Sequence, residues 1–188
     1  MSFLRLPHTI YEAIRAHGEE TYPHECCGAL LGRFSAEDAA PDEPGGWVVE
    51  DSVRAGNTRT DSAHNRYQIA PLELVKIERE ARSHGLAIAG FYHSHPDHPA
   101  QWSATDFEEA HWLGCCYVIT EVTEGKAKVT NSFFLAGGRE EEKRFEQQTI
   151  EIIGPDTGLQ RRYPLHISAK KLQLCLLRLE RTNRRQRC

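Results

Sequence analysis

Leu86-Ala87-Ile88-Ala89-Gly90-Phe91-Tyr92-His93-Ser94-His95 is apolar for seven residues and polar for the last three. A run this short, bounded by Gly85 and Pro96, predicts a buried strand that delivers its C-terminal end to a site. Alternate residues of a strand face the same side, so His93 and His95 can converge on one cation. The pair alone carries little weight. With ten histidines in the chain, about half of shuffled sequences would contain one H-x-H.

Working outward, Ile10, Ala13, Ile14 and His17 fall at helical spacing and predict a helix over 9–20, with Thr9 as its cap and Gly18 and Pro23 at its exit. Cys26 to Gly32 and Trp47 to Val53 read as strands, separated by a stretch rich in Asp, Glu, Pro and Gly. Residues 56–66 are polar and long enough for a functional loop. Leu72, Val75, Ile77 and Ala81 predict a helix over 71–84 that opens at Pro71 and stops at Gly85. A short helix over 103–112 follows. Residues 115–122 and 127–135 then form a hairpin around Glu124-Gly125. The charged segment 139–148 reads as an exposed helix.

Composition excludes several classes. The chain has 188 residues, a net charge of -4 and 39% hydrophobic residues, with three Trp, six Tyr and seven Phe. Such a chain builds a sizeable core and is not disordered. No run is long and apolar enough for a membrane span, and no signal-peptide pattern opens the sequence, so the expectation is a cytoplasmic protein without a membrane role. Two of the cysteine pairs are vicinal, Cys26/Cys27 and Cys115/Cys116, and no C-x-x-C occurs, so most cysteines read as reduced core residues. From Ala169 onward seven Lys and Arg face a single Glu, while Leu172, Cys175, Leu176 and Leu179 share a helical face. That tail suits a docking helix or a solvated helix better than a nucleic-acid surface, because no aromatic residues interleave the charges.

Ser103-Ala104-Thr105-Asp106 is by itself a helix N-cap with a capping-box-like acid. Its distance from the histidines changes that reading. A Ser eight residues and an Asp eleven residues beyond the second His would occur by chance at roughly two in a thousand. The composite H-S-H, seven residues, S, two residues, D resembles the signature of the JAMM, or MPN-plus, metalloproteases. Pro23-His24-Glu25-Cys26-Cys27-Gly28 is similar to the setting of that family's upstream glutamate in short bacterial members.

The resemblance covers roughly residues 5–136. It implies an α/β fold, a curved mixed β-sheet flanked by helices on both faces and related to the cytidine deaminases. The predicted organisation is a catalytic domain over 1–136 and a charged, helical extension over 137–188 that ends in the basic tail. The resemblance also implies Zn2+ held by His93, His95 and Asp106, with Glu25 as general base and then general acid. The chemistry of the residues agrees. Three protein ligands leave a fourth position open for water, and a net site charge of +1 favours its ionisation. Ser103, a poor ligand, is assigned to the oxyanion. Ser94, on the opposite strand face, is assigned to packing or hydrogen bonding, and Cys27 to the core, since a thiolate would close the site. His98 and Asp97 read as loop and turn residues.

Family members hydrolyse peptide or isopeptide bonds, commonly after the C-terminal Gly-Gly of ubiquitin-like proteins, and the short bacterial ones resemble processing enzymes for sulfur-carrier proteins. The expected partner is therefore a ubiquitin-like or sulfur-carrier protein, with residues 56–66 as a cleft wall and a homodimer left open. The alternative is a non-catalytic MPN-type scaffold or protein-binding module. A zinc deaminase would need a P-C-x-x-C string, which the chain lacks.

Overall fold

The dominant element is a seven-stranded mixed sheet that closes on itself. The structure, a computed structural model, describes residues 2–36, 45–58 and 66–154. In chain order these form β1 (Phe3–Pro7), α1 (His8–Thr21), β2 (Cys27–Ser35), β3 (Gly46–Ala55), α2 (Pro71–Ser83), β4 (Ala87–Pro96), α3 (Ala104–Glu109), β5 (Cys116–Thr123) and β6 (Lys126–Ala136). A 3-10 turn over Glu140–Glu142 and β7 (Arg144–Ile153) complete them. The strand order is β1-β3-β2-β4-β5-β6-β7, and β7 pairs with β1 to close the ring.

Most local expectations survive. The apolar run at 86–95 is β4, and it lies in the middle of the order between antiparallel β2 and parallel β5. Burial of nearly its whole length follows from having a paired neighbour on each side and packed side chains above and below. Gly90 sits where β4 and β5 approach closely: a Cβ there would lie 2.0 Å from the carbonyl oxygen of Cys116. The β5–β6 hairpin turns at Glu124 and Gly125, both with positive φ (51° and 72°), the conformation of a two-residue primed turn. Pro71 occupies the first turn of α2.

Two side-chain clusters explain how the helices pack. In β2, Leu30 joins Leu4, Leu6, Val49, Ala89 and Val118 in a cluster that includes Ile14 of α1. The alternate residues Cys27, Ala29 and Leu31 join Phe91, Tyr117 and Leu135 in a second cluster, which includes Ile77 and Ala81 of α2. The period-two alternation of β2 therefore sends neighbouring residues toward different helices. Cys26, Cys27, Cys115 and Cys116 are buried free thiols. Burial holds the Cys26 thiol up at about 11, so it stays protonated and inert.

Four expectations are corrected. The sheet is mixed, as expected, but it closes into a barrel instead of forming a layer clearly flanked by helices on both faces, and α1 runs against β1, β3, β4, β5, β6 and β7. The helix expected over 139–148 does not form; its place is taken by the 3-10 turn and the start of β7. Arg144-Phe145-Glu146 carries charge at alternate positions, and both charged residues stay exposed while Phe145 turns inward, which is strand rather than helix patterning. Thr9 does not cap α1, which begins at His8 with no side-chain cap bond, and Gly18 lies within α1 rather than at its end. The helix after Ser103 stops at Glu109.

The sequence reading also passed over β1. Its residues bond to the other strand that the reading missed: Arg5 Nε donates to Glu151 Oε2 at 2.7 Å across the seam. Gln148 is buried there, donating to the Phe3 carbonyl and the Ser2 hydroxyl, each at 3.1 Å, while accepting from Ser132 Oγ at 2.9 Å. No helix of the described residues is long and apolar enough to cross a membrane. The tail from Ala169, His64 and most of the 56–66 loop lie outside the described residues.

Candidate metal centre

The end of β4 places His93 and His95 on one face, as alternation requires, and Ser94 on the other. Ser94 Oγ accepts from the Cys26 backbone N–H at 2.9 Å, which ties the segment carrying Glu25 to β4. Cys27 pairs with His93 in the antiparallel register, so Glu25 arrives beside the histidines as β2 begins. Gly18 of α1 backs this region. A Cβ at Gly18 would lie 3.0 Å from Val122 Cγ2 and 3.1 Å from Ser94 Cβ, so its absence lets the helix close on the strand behind the site.

Asp106 reaches the histidines from α3. The helix is one short stretch with no buried residue, and it starts with a complete capping box. Ser103 Oγ accepts from the Asp106 backbone N–H at 3.1 Å, and Asp106 Oδ2 accepts from the Ser103 N–H at 2.7 Å. The Ser103 hydroxyl also donates to Asp106 Oδ2 at 2.7 Å. Capping and site formation are thus one arrangement: the box that starts the helix fixes the carboxylate facing His93 and His95. The hydroxyl proton expected to serve an oxyanion rests on that carboxylate.

One ligand atom each from His93, His95 and Asp106 lies within 4.8 Å of the others. His93 Nε2 and His95 Nε2 are 3.0 Å apart, and each is 3.5 Å from an oxygen of Asp106. His95 Nδ1 lies 2.9 Å from the Pro99 carbonyl. That acceptor keeps the proton on Nδ1 and turns the Nε2 lone pair toward the other two groups. Burial lowers the His93 pKa to about 3, so its imidazole is neutral. Against a desolvation that would raise it, the contacts with His95, His93 and Ser103 hold the Asp106 carboxyl below its ordinary range. Two imidazole nitrogens and a carboxylate converge on one point; against a desolvation that would lower it, the contacts with Asp106 and the Pro99 carbonyl raise the pKa of His95, so the site favours a positive charge. A divalent cation satisfies all three, and the donor set is one that zinc takes.

Glu25 is buried, with 5% of its surface exposed, and its Oε2 has no hydrogen-bond partner. Burial raises its pKa to about 8; the charge of His95 opposes this and those of Asp106 and Glu109 add to it. A desolvated carboxyl with a free oxygen beside three ligand atoms is placed to exchange a proton at neutral pH.

Several neighbours were not legible in the sequence. Tyr67 stacks on His93 with ring centroids 4.6 Å apart. Asn57 Nδ2 donates to the Arg66 carbonyl at 2.9 Å and, more weakly, to the Glu25 carbonyl at 3.4 Å. Both lie at the stems of the polar loop, and no motif or periodicity marked them. Cys27 is a core residue, and its thiol points at the Ala55 carbonyl at 3.7 Å. Asp97 is a turn residue with φ of 54°, accepting from Tyr22 Oη at 2.8 Å and from the Glu124 N–H at 3.0 Å. His98 is exposed.

Comparison with known proteins bears on this constellation. Over 97 residues the chain is 35% identical to a desampylase of Haloferax volcanii, covering 52% of this chain and 62% of the relative. It is 31% identical over 109 residues to a probable TtuB-protein conjugate cleaving protease of Thermus thermophilus, covering 58% and 64%. The match thus spans less than two thirds of either relative. Among solved structures, one protein of Salinibacter ruber is 35% identical, with a TM-score of 0.57 over 83% of this chain and 94% of that one. Another, of Desulfitobacterium hafniense, shares the fold at 24% identity, with a TM-score of 0.62 over 81% and 96%. The model of the prokaryotic homologs of the JAB domain matches residues 7–136, a stretch that includes Glu25, both histidines, Ser103 and Asp106. With that stretch covering well over half of the sequence, the chain belongs to the prokaryotic JAB-domain family.

Proposed function

We propose that this protein is a zinc-dependent peptidase or isopeptidase that cleaves an amide bond after the C-terminal Gly-Gly of a ubiquitin-like or sulfur-carrier protein. The observation that carries the proposal is the convergence of His93, His95 and Asp106 beside the buried carboxyl of Glu25, whose Oε2 has no hydrogen-bond partner. The names of the two curated relatives, a desampylase and a conjugate-cleaving protease, support the reaction class.

In this reading His93, His95 and Asp106 hold the ion. When bound, zinc supplies Lewis acidity, polarising the scissile carbonyl and acidifying water. Glu25 accepts the proton of the attacking water and passes it to the departing amine; its desolvated position suits both halves of that transfer. Ser103 releases its hydroxyl from Asp106 to donate to the oxyanion that develops on the attacked carbonyl. Tyr67, stacked on His93, and Asn57, at the Glu25 carbonyl, are placed beside the path of an extended peptide tail. The catalytic unit expected over 1–136 is extended through β7, which closes the barrel against β1, and the residues beyond it are taken as the extension. Four buried free thiols suit a reducing compartment, the cytoplasm.

The test is direct. The purified protein is incubated with ubiquitin-like and sulfur-carrier proteins bearing C-terminal extensions, with and without chelator, and the products are weighed by mass spectrometry. Cleavage after Gly-Gly that chelator abolishes and zinc restores is expected. Absence of zinc binding together with absence of cleavage would overturn the enzyme in favour of an MPN-type scaffold.

A further inference from the structure

α3 is too short to be stable by itself, since a six-residue helix cannot repay its nucleation and buries none of its side chains. Yet it carries Asp106. Its N-terminus is fixed by the Ser103 box. What fixes its C-terminus lies outside the segment that matches the family model, which ends at residue 136.

The Lys143 ammonium donates to the Glu108 carbonyl at 3.2 Å and the Ala110 carbonyl at 3.1 Å, the carbonyls at the end of α3. Its third proton goes to Glu140 Oε1 at 2.6 Å. Only 10% of its side chain is exposed, and its nitrogen lies 5.0 Å from the centre of the Phe107 ring. A cation on the free carbonyls of a helix end satisfies them and complements the helix dipole. Two residues on, Phe145 packs against Phe107 at 5.7 Å and against Trp102 at 5.6 Å, bracketing the helix from the side. Glu140, which holds the ammonium, is itself met by His111 Nδ1 at 3.1 Å.

We infer that Lys143 is a positioning residue for the metal centre: by clamping the C-terminal carbonyls of α3 it holds the Asp106 carboxylate at the distance from His93 and His95 that the ion requires. It touches neither the ion nor a substrate. The inference rests on the assignment of Asp106 as a ligand, and it places part of the metal-binding machinery in the stretch between the 3-10 turn and β7.

The experiment compares zinc affinity, by competition with a chromophoric chelator, and the visible absorption of the cobalt-loaded protein, for wild type, Lys143→Met, Lys143→Gln and Lys143→Arg. Met keeps the stem over Phe107 and removes the charge. The affinity of Lys143→Met is expected to fall about 10- to 100-fold, as for loss of a group that orients a ligand. Lys143→Gln should fall at least about threefold, Lys143→Arg should recover most of the loss, and far-UV circular dichroism should match wild type. Shape and intensity of the cobalt spectrum report ligand geometry, which a merely structural residue would leave unchanged in the metal-saturated protein. Wild-type affinity and an unaltered cobalt spectrum in Lys143→Met would overturn the inference, as would the same result in Lys143→Gln should the Met variant not fold. Failure of the wild type itself to bind zinc would instead refute the proposed function, so the two failures are distinguishable.

Discussion

Replacing Glu25 by Gln should inactivate the protein and, in the presence of chelator, stabilise it increasingly as pH rises. Burial sets the Glu25 pKa at about 8 in the metal-free fold, against 4.5 for an ordinary glutamate. Below about pH 4.5 the carboxyl is protonated in folded and unfolded chains alike and contributes nothing to a pH dependence. Between the two values the unfolded chain releases a proton that the folded chain keeps, so stability falls as pH rises and levels off above about 8. At roughly 1.4 kcal/mol per pH unit, the full loss is about 5 kcal/mol, an upper bound that local relaxation reduces to about 2–5 kcal/mol. The amide of the Glu25→Gln variant cannot ionise. Any constant cost of burying it cancels when the stability difference between the two proteins at about pH 8.5 is compared with that at about pH 5.

Thermal or urea unfolding with chelator measures that comparison. For a chain of this size the Glu25→Gln variant should gain about 5–15 °C over wild type between the two pH values. Zinc should abolish the effect, because a cation beside the carboxylate favours its charged form. Turnover should fall by at least about a hundredfold, the usual contribution of a general base, while zinc is retained. A stability difference between wild type and the Glu25→Gln variant that does not change with pH would refute the reasoning that the carboxyl is held desolvated in the empty fold.

Removal of a ligand should behave differently. His95→Ala and Asp106→Ala are expected to lose zinc, measured by metal analysis after dialysis, and with it the ligand-linked gain of about 3 kcal/mol that wild type shows at a hundredfold excess over Kd. Ser103→Ala removes both the cap and the hydroxyl. It should cost about 1 kcal/mol of stability and roughly a hundredfold in turnover, read from unfolding curves and steady-state kinetics at saturating zinc, with the ion retained but held more weakly. Gly90→Ala places a methyl 2.0 Å from the Cys116 carbonyl oxygen and should prevent β4 and β5 from pairing. The expected result is an insoluble protein or a loss of about 3 kcal/mol or more in chemical unfolding.

Local features carried the sequence reading a long way. The apolar-to-polar run of 86–95 was readable as a buried strand because burial on both faces erases alternation and leaves a continuous apolar stretch. The hairpin at Glu124-Gly125 was readable because a tight turn demands residues that tolerate positive φ. Strand alternation foreshadowed the pairing of His93 with His95, and the N-cap pattern that of Ser103 with Asp106, while the union of the two pairs in one site was implied by the resemblance to the JAMM signature. Glu25 was identifiable only through its resemblance to a motif, being far from the histidines in sequence.

What the tertiary structure alone decided is how distant segments meet. Closure of the barrel depends on β1 and β7 pairing, with Arg5 and Glu151 in contact across 146 positions. Nothing within either strand announces its partner, and the density of charge over 139–148 made the start of β7 resemble an exposed helix. The same segment brings Lys143 and Phe145 against α3, so residues without a motif brace the helix that presents Asp106. Short-range geometry is written in residue type and spacing, because dihedral preference and periodicity act over one turn or one strand. Which strand completes a sheet, and which lysine reaches a helix end, is settled only when the chain folds back on itself and the free energy of those remote contacts is realised.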